Sequence, residues 1–230
     1  MLLNITKLYG MTLAASDCDI GKVRDFYFDD KHWTIRYLVA DTGEWLKGRL
    51  VLISPYAFGE FDAEGRSLSI NLTRRQIETC PGIDSHLPVS RQYEVDYTRH
   101  YGWPTYWDGG GVWGVSGFPS IEPMPEVDTE PRQKHQQGDG KHLRSVRAIT
   151  GYHIQTIDGA IGHVTGILVD DRSWAIRELI VEAGAWYSGK EILISHAKID
   201  RISYEESAVH VRLTKADIER TAEHELARPH

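Results

Sequence analysis

Cysteine is scarce in this sequence. Among 230 residues there are two, Cys18 and Cys80, and neither has a cysteine or histidine at zinc-ligand spacing. No disulfide framework and no structural zinc site is expected; the two thiols are read as reduced. Long hydrophobic runs are absent as well. No stretch approaches the ~18 uninterrupted apolar residues of a membrane span. The opening MLLNITKLYG has no basic segment ahead of a long apolar one, so it does not read as a secretory signal. A cytoplasmic protein is expected, at most peripheral to a membrane complex, and the sequons at Asn4 and Asn71 then carry no glycosylation meaning. Positive charge is also in deficit: 26 basic residues face 33 acidic ones, for a net −7, and no long segment is net basic. A protein that grips nucleic acid by neutralising phosphates needs a basic domain, so nucleic acid is not an expected partner.

Catalytic patterns are missing too. Gly184-x4-Gly189-Lys190 has most of a phosphate-binding loop, but Glu191 stands where magnesium needs a Ser or Thr. Copy one of the same loop reads Gly43-x4-Gly48-Arg49, and both lie between strands rather than ahead of a helix that could receive phosphate. Gly114-Val115-Ser116-Gly117 lacks the spacing of a nucleophile elbow. The paired acids Asp29-Asp30 and Asp170-Asp171 have no further oxygen ligands at fixed spacing and read as turn residues. No enzyme activity, metal or cofactor is expected.

What the sequence does contain is a repeat. Shifted by 141 positions, residues 8–78 match 149–219 without a gap at 22 of 71 positions. The shared residues include Gly21 and Gly162, Asp29-Asp30 and Asp170-Asp171, Trp33 and Trp174, Arg36 and Arg177, and Leu52-Ile53-Ser54 and Leu193-Ile194-Ser195. Within each copy, short β-rich runs alternate with turn signals about every ten residues, the pattern of an all-β module. Ser67–Leu72 and Ala208–Leu213 alternate polar and apolar residues, as half-buried strands do. Thr73-Arg74-Arg75-Gln76 is a capping box, and Thr214 keeps the cap in copy two, so each module ends in a short helix. Five or six strands in so few residues avoid bare edges by curling into a small barrel. Trp33 and Trp174 are expected to fill those barrels, and Arg36 and Arg177, recurring mid-strand, to play a structural role.

The pattern Gly-x10-Gly-x-Val-x5-Asp-Asp-x2-Trp-x-Ile-Arg-x-Leu, followed by a Gly-x4-Gly loop and a Leu-Ile-Ser strand, resembles the PRC-barrel. That module is found in the H subunit of photosynthetic reaction centres and at the C-terminus of a ribosome maturation factor. The resemblance covers both copies and implies a mainly β fold: two small barrels in tandem, each followed by a short helix. It implies an assembly and interaction role and supplies no catalytic motif. Two narrower roles come with it: an accessory protein of the light reaction, and a ribosome or RNA maturation adaptor.

Between the copies lies a different kind of sequence. Residues 93–118 hold 8 of the chain's 23 aromatics. Tyr93, Tyr97 and Tyr101 recur every four residues, so 90–101 is expected as a helix with an aromatic stripe, ended at Trp103-Pro104. Two arrangements are open. The stripe either packs on a barrel of its own chain or contacts another protein or a second copy, where Trp and Tyr are favoured anchors. The candidate interaction residues are Tyr97, Tyr101, Trp103, Tyr106, Trp107 and Trp113. The expected organisation is therefore a first barrel over 1–80, an aromatic and Gly-rich extension over 81–118, a Pro-rich flexible linker over 119–143, a second barrel over 144–222 and a tail over 223–230. A protein partner is expected, with homo-oligomerisation as one form of it.

Overall fold

The computed structural model describes residues 1–46, 48–62, 64–82, 89–109, 111–114, 116–121, 143–184 and 189–226, the last six without their side chains. The expected flexible linker lies almost wholly outside the described residues, as does Trp186, the repeat partner of Trp45.

In chain order the elements of the first half are β1 (Leu2–Asn4), β2 (Thr12–Ala15), β3 (Asp19–Asp29), β4 (Thr34–Asp41), β5 (Leu50–Ile53), β6 (Phe58–Phe61), β7 (Ser67–Ile70), α1 (Arg74–Glu78) and α2 (Arg91–Tyr101). The second half continues with β8 (Leu143–Ser145), α3 (Val146–Ile149), β9 (His153–Thr156), β10 (Gly159–Asp170), β11 (Ile176–Ala183), β12 (Glu191–Ser195), β13 (Ile199–Ser203), β14 (Ala208–Val211) and α4 (Lys215–Leu226). The chain is mainly β, as expected, and folds into two seven-stranded sheets. One has the order β5-β4-β3-β2-β7-β6 with β8 beside β3; the other has the order β12-β11-β10-β9-β14-β13 with β1 beside β10. β2–β7 and β9–β14 pair in parallel, and the other pairs with a given register are antiparallel.

The two compact units are Gly10–Arg144, the first unit below, and Met1–Tyr9 with Ser145–His230, the second. They cut across the repeat. The first strand of copy one, β1, pairs antiparallel with β10 of copy two, Leu2 opposite Asp170 and Asn4 opposite Leu168. β8, which is β1 displaced by 141 positions, pairs with β3 of copy one. Each unit thus takes its opening strand from the other copy, and the first nine residues leave the unit in which the expected 1–80 boundary placed them.

The acid pairs help to hold this arrangement, each acid in its own way. Asp29 and Asp170 build the hairpin turns. Asp29 Oδ1 accepts from the Lys31 and His32 N–H groups at 2.9 and 3.4 Å. Asp170 Oδ1 accepts from those of Arg172 and Ser173 at 3.2 and 2.8 Å. Asp30 and Asp171 face the incoming strands: Asp30 Oδ2 accepts from Arg144 Nε at 2.6 Å, and Asp171 Oδ1 from the Met1 ammonium at 2.6 Å.

Trp33 and Trp174 close these hairpins in the left-handed region, at φ 50° and 57°. That conformation is strained for so bulky a side chain. Trp33 itself belongs to the turn, and β4 begins at Thr34. Trp174 is buried as expected; Trp33 is only half-buried, its ring 5.7 Å from Phe28. Gly21 and Gly162 are shared because a Cβ there would stand 2.0 Å from the Asp41 and Glu182 carbonyl oxygens respectively.

Hairpin acids also fasten the terminal helices. Asp17 and Asp158 accept from the backbone N–H groups of Arg74 and Lys215 at 2.8 and 3.0 Å, in the first turns of α1 and α4. Thr73 and Gln76 form the expected capping box, which satisfies donors a helix start leaves unpaired.

Candidate interaction surfaces

In the first unit, β4 is buried on both faces; seven of its eight residues are inaccessible. One face, with Ile35, Leu38 and Ala40, lines the interior alongside Phe26, Leu13 and Ile53. The other, carrying Tyr37 and Val39, is covered by α2. Tyr37, Val39 and Leu52 form one cluster with Val89 and Tyr97, and Tyr27, Leu50, Tyr93, Tyr101, Trp103 and Leu143 pack against it. The stripe read from the sequence is therefore real, and it lies on its own unit. α2 begins at Ser90, whose side chain caps Tyr93 N–H, and ends at Gly102 in the left-handed conformation, the usual helix stop.

Tyr97, fully buried, closes the sheet's edge. Its hydroxyl accepts from Ser54 N–H at 3.0 Å and donates to the Leu52 carbonyl at 3.1 Å. Both belong to the β5 side, where the strand order ends and backbone groups lack a neighbouring strand. Trp103 stacks on Tyr101, the ring centres 4.5 Å apart. Tyr106 and Trp113 are buried, and Trp107 is half-buried with the Arg91 guanidinium 4.2 Å from its ring centre. Of the six aromatic candidates, Tyr97, Tyr106 and Trp113 thus line their own unit's interior, while Tyr101, Trp103 and Trp107 keep partial access to solvent.

Arg36 is buried beneath this cover, 1 % exposed. Tyr27 pairs with Tyr37 and Phe28 with Ile35, so Arg36 is the extra residue of a bulge, a device that re-aims a side chain. The guanidinium lies 3.9 Å from the Tyr106 ring centre and 4.9 Å from that of Trp113. It donates to the Val112 carbonyl at 2.6 Å and to Asp29 Oδ2 at 3.5 Å. Burial lowers its pKa, against the pull of Tyr106 and Asp29. For Asp29, burial acts to raise the pKa, but the His32 ring at 2.7 Å, the Arg36 charge and the Lys31 N–H together outweigh it and hold the carboxyl below its ordinary range.

Glu94 was not singled out by the sequence reading, yet it is wholly buried on α2. Tyr106 and Tyr37 donate to its Oε1 at 2.6 and 3.1 Å, and Arg91 Nη1 stands 3.0 Å from Oε2. Burial first, and Glu94 second, raise the pKa of both tyrosines well above the ordinary range, which keeps them as donors. The available signal was its place three residues from Arg91 and Tyr97, inside the aromatic stripe.

The corresponding face of the second unit is built differently. A bulge again sets Arg177 between the pairs Leu168–Glu178 and Val169–Ile176, but here the arginine is exposed. β11 is not buried throughout; Arg177 and Glu182 are exposed and Glu178 is half-buried. Beside it Leu193 is 36 % exposed, and Leu2 on β1 is 50 % exposed. In the first unit the matching positions hold Leu52 and Leu143, both under α2.

Cys18 and Cys80 are not joined. Burial raises the Cys80 thiol's pKa, opposed by the neighbouring Arg49. Among the described residues no helix is long and apolar enough to cross a membrane.

Comparison with known proteins agrees with this architecture. No curated protein matches the chain. The family model for the PRC-barrel domain matches two segments, residues 2–77 and 142–218. Each segment opens on the strand that the two units exchange, and together they span well over half of the sequence. The chain belongs to the PRC-barrel domain family, whose fold serves as a general protein-interaction and assembly module, and carries that domain twice.

Proposed function

We propose that the chain is a non-enzymatic assembly module that binds a protein partner through its second unit. One observation carries this reading. The first unit covers the outer face of β4 and β5 with its own α2, whereas the same face of the second unit leaves Leu2 and Leu193 open to solvent. A sheet face left without a covering helix, with leucines open to solvent among acidic neighbours, offers a partner contact area. The family's general role supports the same conclusion.

The test is recovery of a tagged chain, expressed at its native level, from its own cells. One co-purifying protein in stoichiometric amount is the expected result. Recovery of the chain alone, at low salt and with mild crosslinking, would overturn the reading.

A further inference from the structure

We propose that the outer face of β11 and β12 receives a basic amphipathic helix from the partner protein. This rests on the assembly reading above and names the chemistry of the partner.

The first unit shows what the face is shaped to hold. There the occupant is a helix, α2, laid across β4 and β5 with apolar side chains turned inward. At the matching positions of the second unit, Tyr27 becomes Leu168, Val39 becomes Ile180, and Leu52 and Leu143 find their counterparts in Leu193 and Leu2. These four stay apolar. Two others turn acidic: Tyr37 becomes Glu178 and Leu50 becomes Glu191. The α4 helix lies beside β12, yet Leu193 remains 36 % exposed.

The charges decide the sign of the occupant. Glu182 and Glu191 stand directly opposite each other across β11 and β12, and like charges so placed destabilise a sheet. Glu178 projects from the same face four pairs further along, since side chains alternate along a strand. Glu182 Oε2 also lies 3.8 Å from His163 Nε2. A helix that brings Lys or Arg between Glu182 and Glu191, with its apolar stripe over Leu193 above the buried Ile180, relieves the repulsion and covers the exposed leucine. Arg177 at the bulge would then donate to a carbonyl of the incoming chain, as Arg36 donates to Val112 in the first unit. The chain's own helices do not suit the place: α2 is committed to the first unit, and α4 is acidic, with Asp217, Glu219, Glu223 and Glu225 against Lys215 and Arg220.

The probe is a pair of synthetic helical peptides of about 15 residues, long enough for a stable amphipathic turn pattern. They share one Leu/Trp stripe, flanked by Lys in one and by Glu in the other. Binding to the full chain is read by fluorescence anisotropy. The Lys-flanked peptide is expected to bind about tenfold more tightly than its twin, a difference of about 1.4 kcal/mol. Leu193→Asp should remove that binding, and Glu182→Lys with Glu191→Lys should reverse the preference. The charge variant places two lysines in solvent, so folding is checked independently by the thermal transition. Failure of the Lys-flanked peptide to bind, or binding indifferent to both variants, overturns the proposal. If the native partner is still recovered in full by the folded Leu193→Asp chain, the assembly reading stands and the assignment of this face falls.

Discussion

Arg36 and Arg177 occupy one position of the repeat and meet opposite surroundings, which shows how little a single residue type settles by itself. Both sit on a bulge, yet Arg36 is walled in by Tyr106, Trp113 and Asp29, while Arg177 meets solvent. Removing one member of a buried ion pair leaves the other charge uncompensated, at a cost of about 3–5 kcal/mol. Asp29→Asn keeps the turn acceptor but removes the charge that faces Arg36 and His32, so a loss of about 3 kcal/mol at neutral pH is expected. The effect has a defined pH dependence. The Asp29 carboxyl is held below its ordinary range, so its contribution is fully present above the unfolded-state value and vanishes as the pH falls through the folded one. Urea unfolding at a series of pH values should show the two proteins converging in acid. A gap that stays constant down to the lowest pH at which both fold would contradict the ion-pair account.

At the level of elements, α2 is what the first unit has and the second lacks among the described residues. The helix was legible in the sequence because Tyr93, Tyr97 and Tyr101 mark one face at a spacing of four and Trp103-Pro104 bars its continuation; the Ser90 and Gly102 caps came only with the structure. What it covers was not legible from the stripe, since an aromatic stripe suits an intramolecular face and a partner's equally. The answer lay in comparing the copies where they differ: Tyr37 and Leu50 offer apolar surface to a helix, and Glu178 and Glu191 do not. Tyr97 tests the consequence. Tyr97→Phe preserves the ring but leaves Ser54 N–H and the Leu52 carbonyl without their partner, at an expected cost of about 1–3 kcal/mol. Tyr97→Ala also opens a cavity and should cost about 3–5 kcal/mol. The half-buried Tyr101 hydroxyl reaches the Gln76 carbonyl at 3.5 Å and the Cys80 thiol, both weak contacts, so Tyr101→Phe should cost less than Tyr97→Phe. Chemical denaturation of the three variants gives the order; equal losses for the two phenylalanine variants would show that the edge contacts made by Tyr97 carry no weight.

On the scale of the whole chain, the repeat was plain in the sequence and the strand exchange was hidden. The offset of 141 aligns Leu2-Leu3-Asn4 with Leu143-Arg144-Ser145, so by pattern alone either strand fits either sheet. Which sheet takes which strand is settled by chain connectivity and tertiary pairing, which periodicity does not report. The exchange predicts that a break between the copies does not part them. With a specific protease site placed within residues 122–142, cleavage leaves β1 on the N-terminal fragment and β8 on the C-terminal one, each paired into a sheet made mostly by the other fragment. The two fragments should co-elute in native size-exclusion chromatography and separate only in denaturant. Separation under native conditions would show that the exchanged strands hold nothing together. Between two separate chains, such a trade of equivalent strands would be a second-order event, lost on dilution. Here both partners are parts of one molecule, so each strand meets its sheet at a fixed effective concentration, and the trade persists however few copies a cell makes.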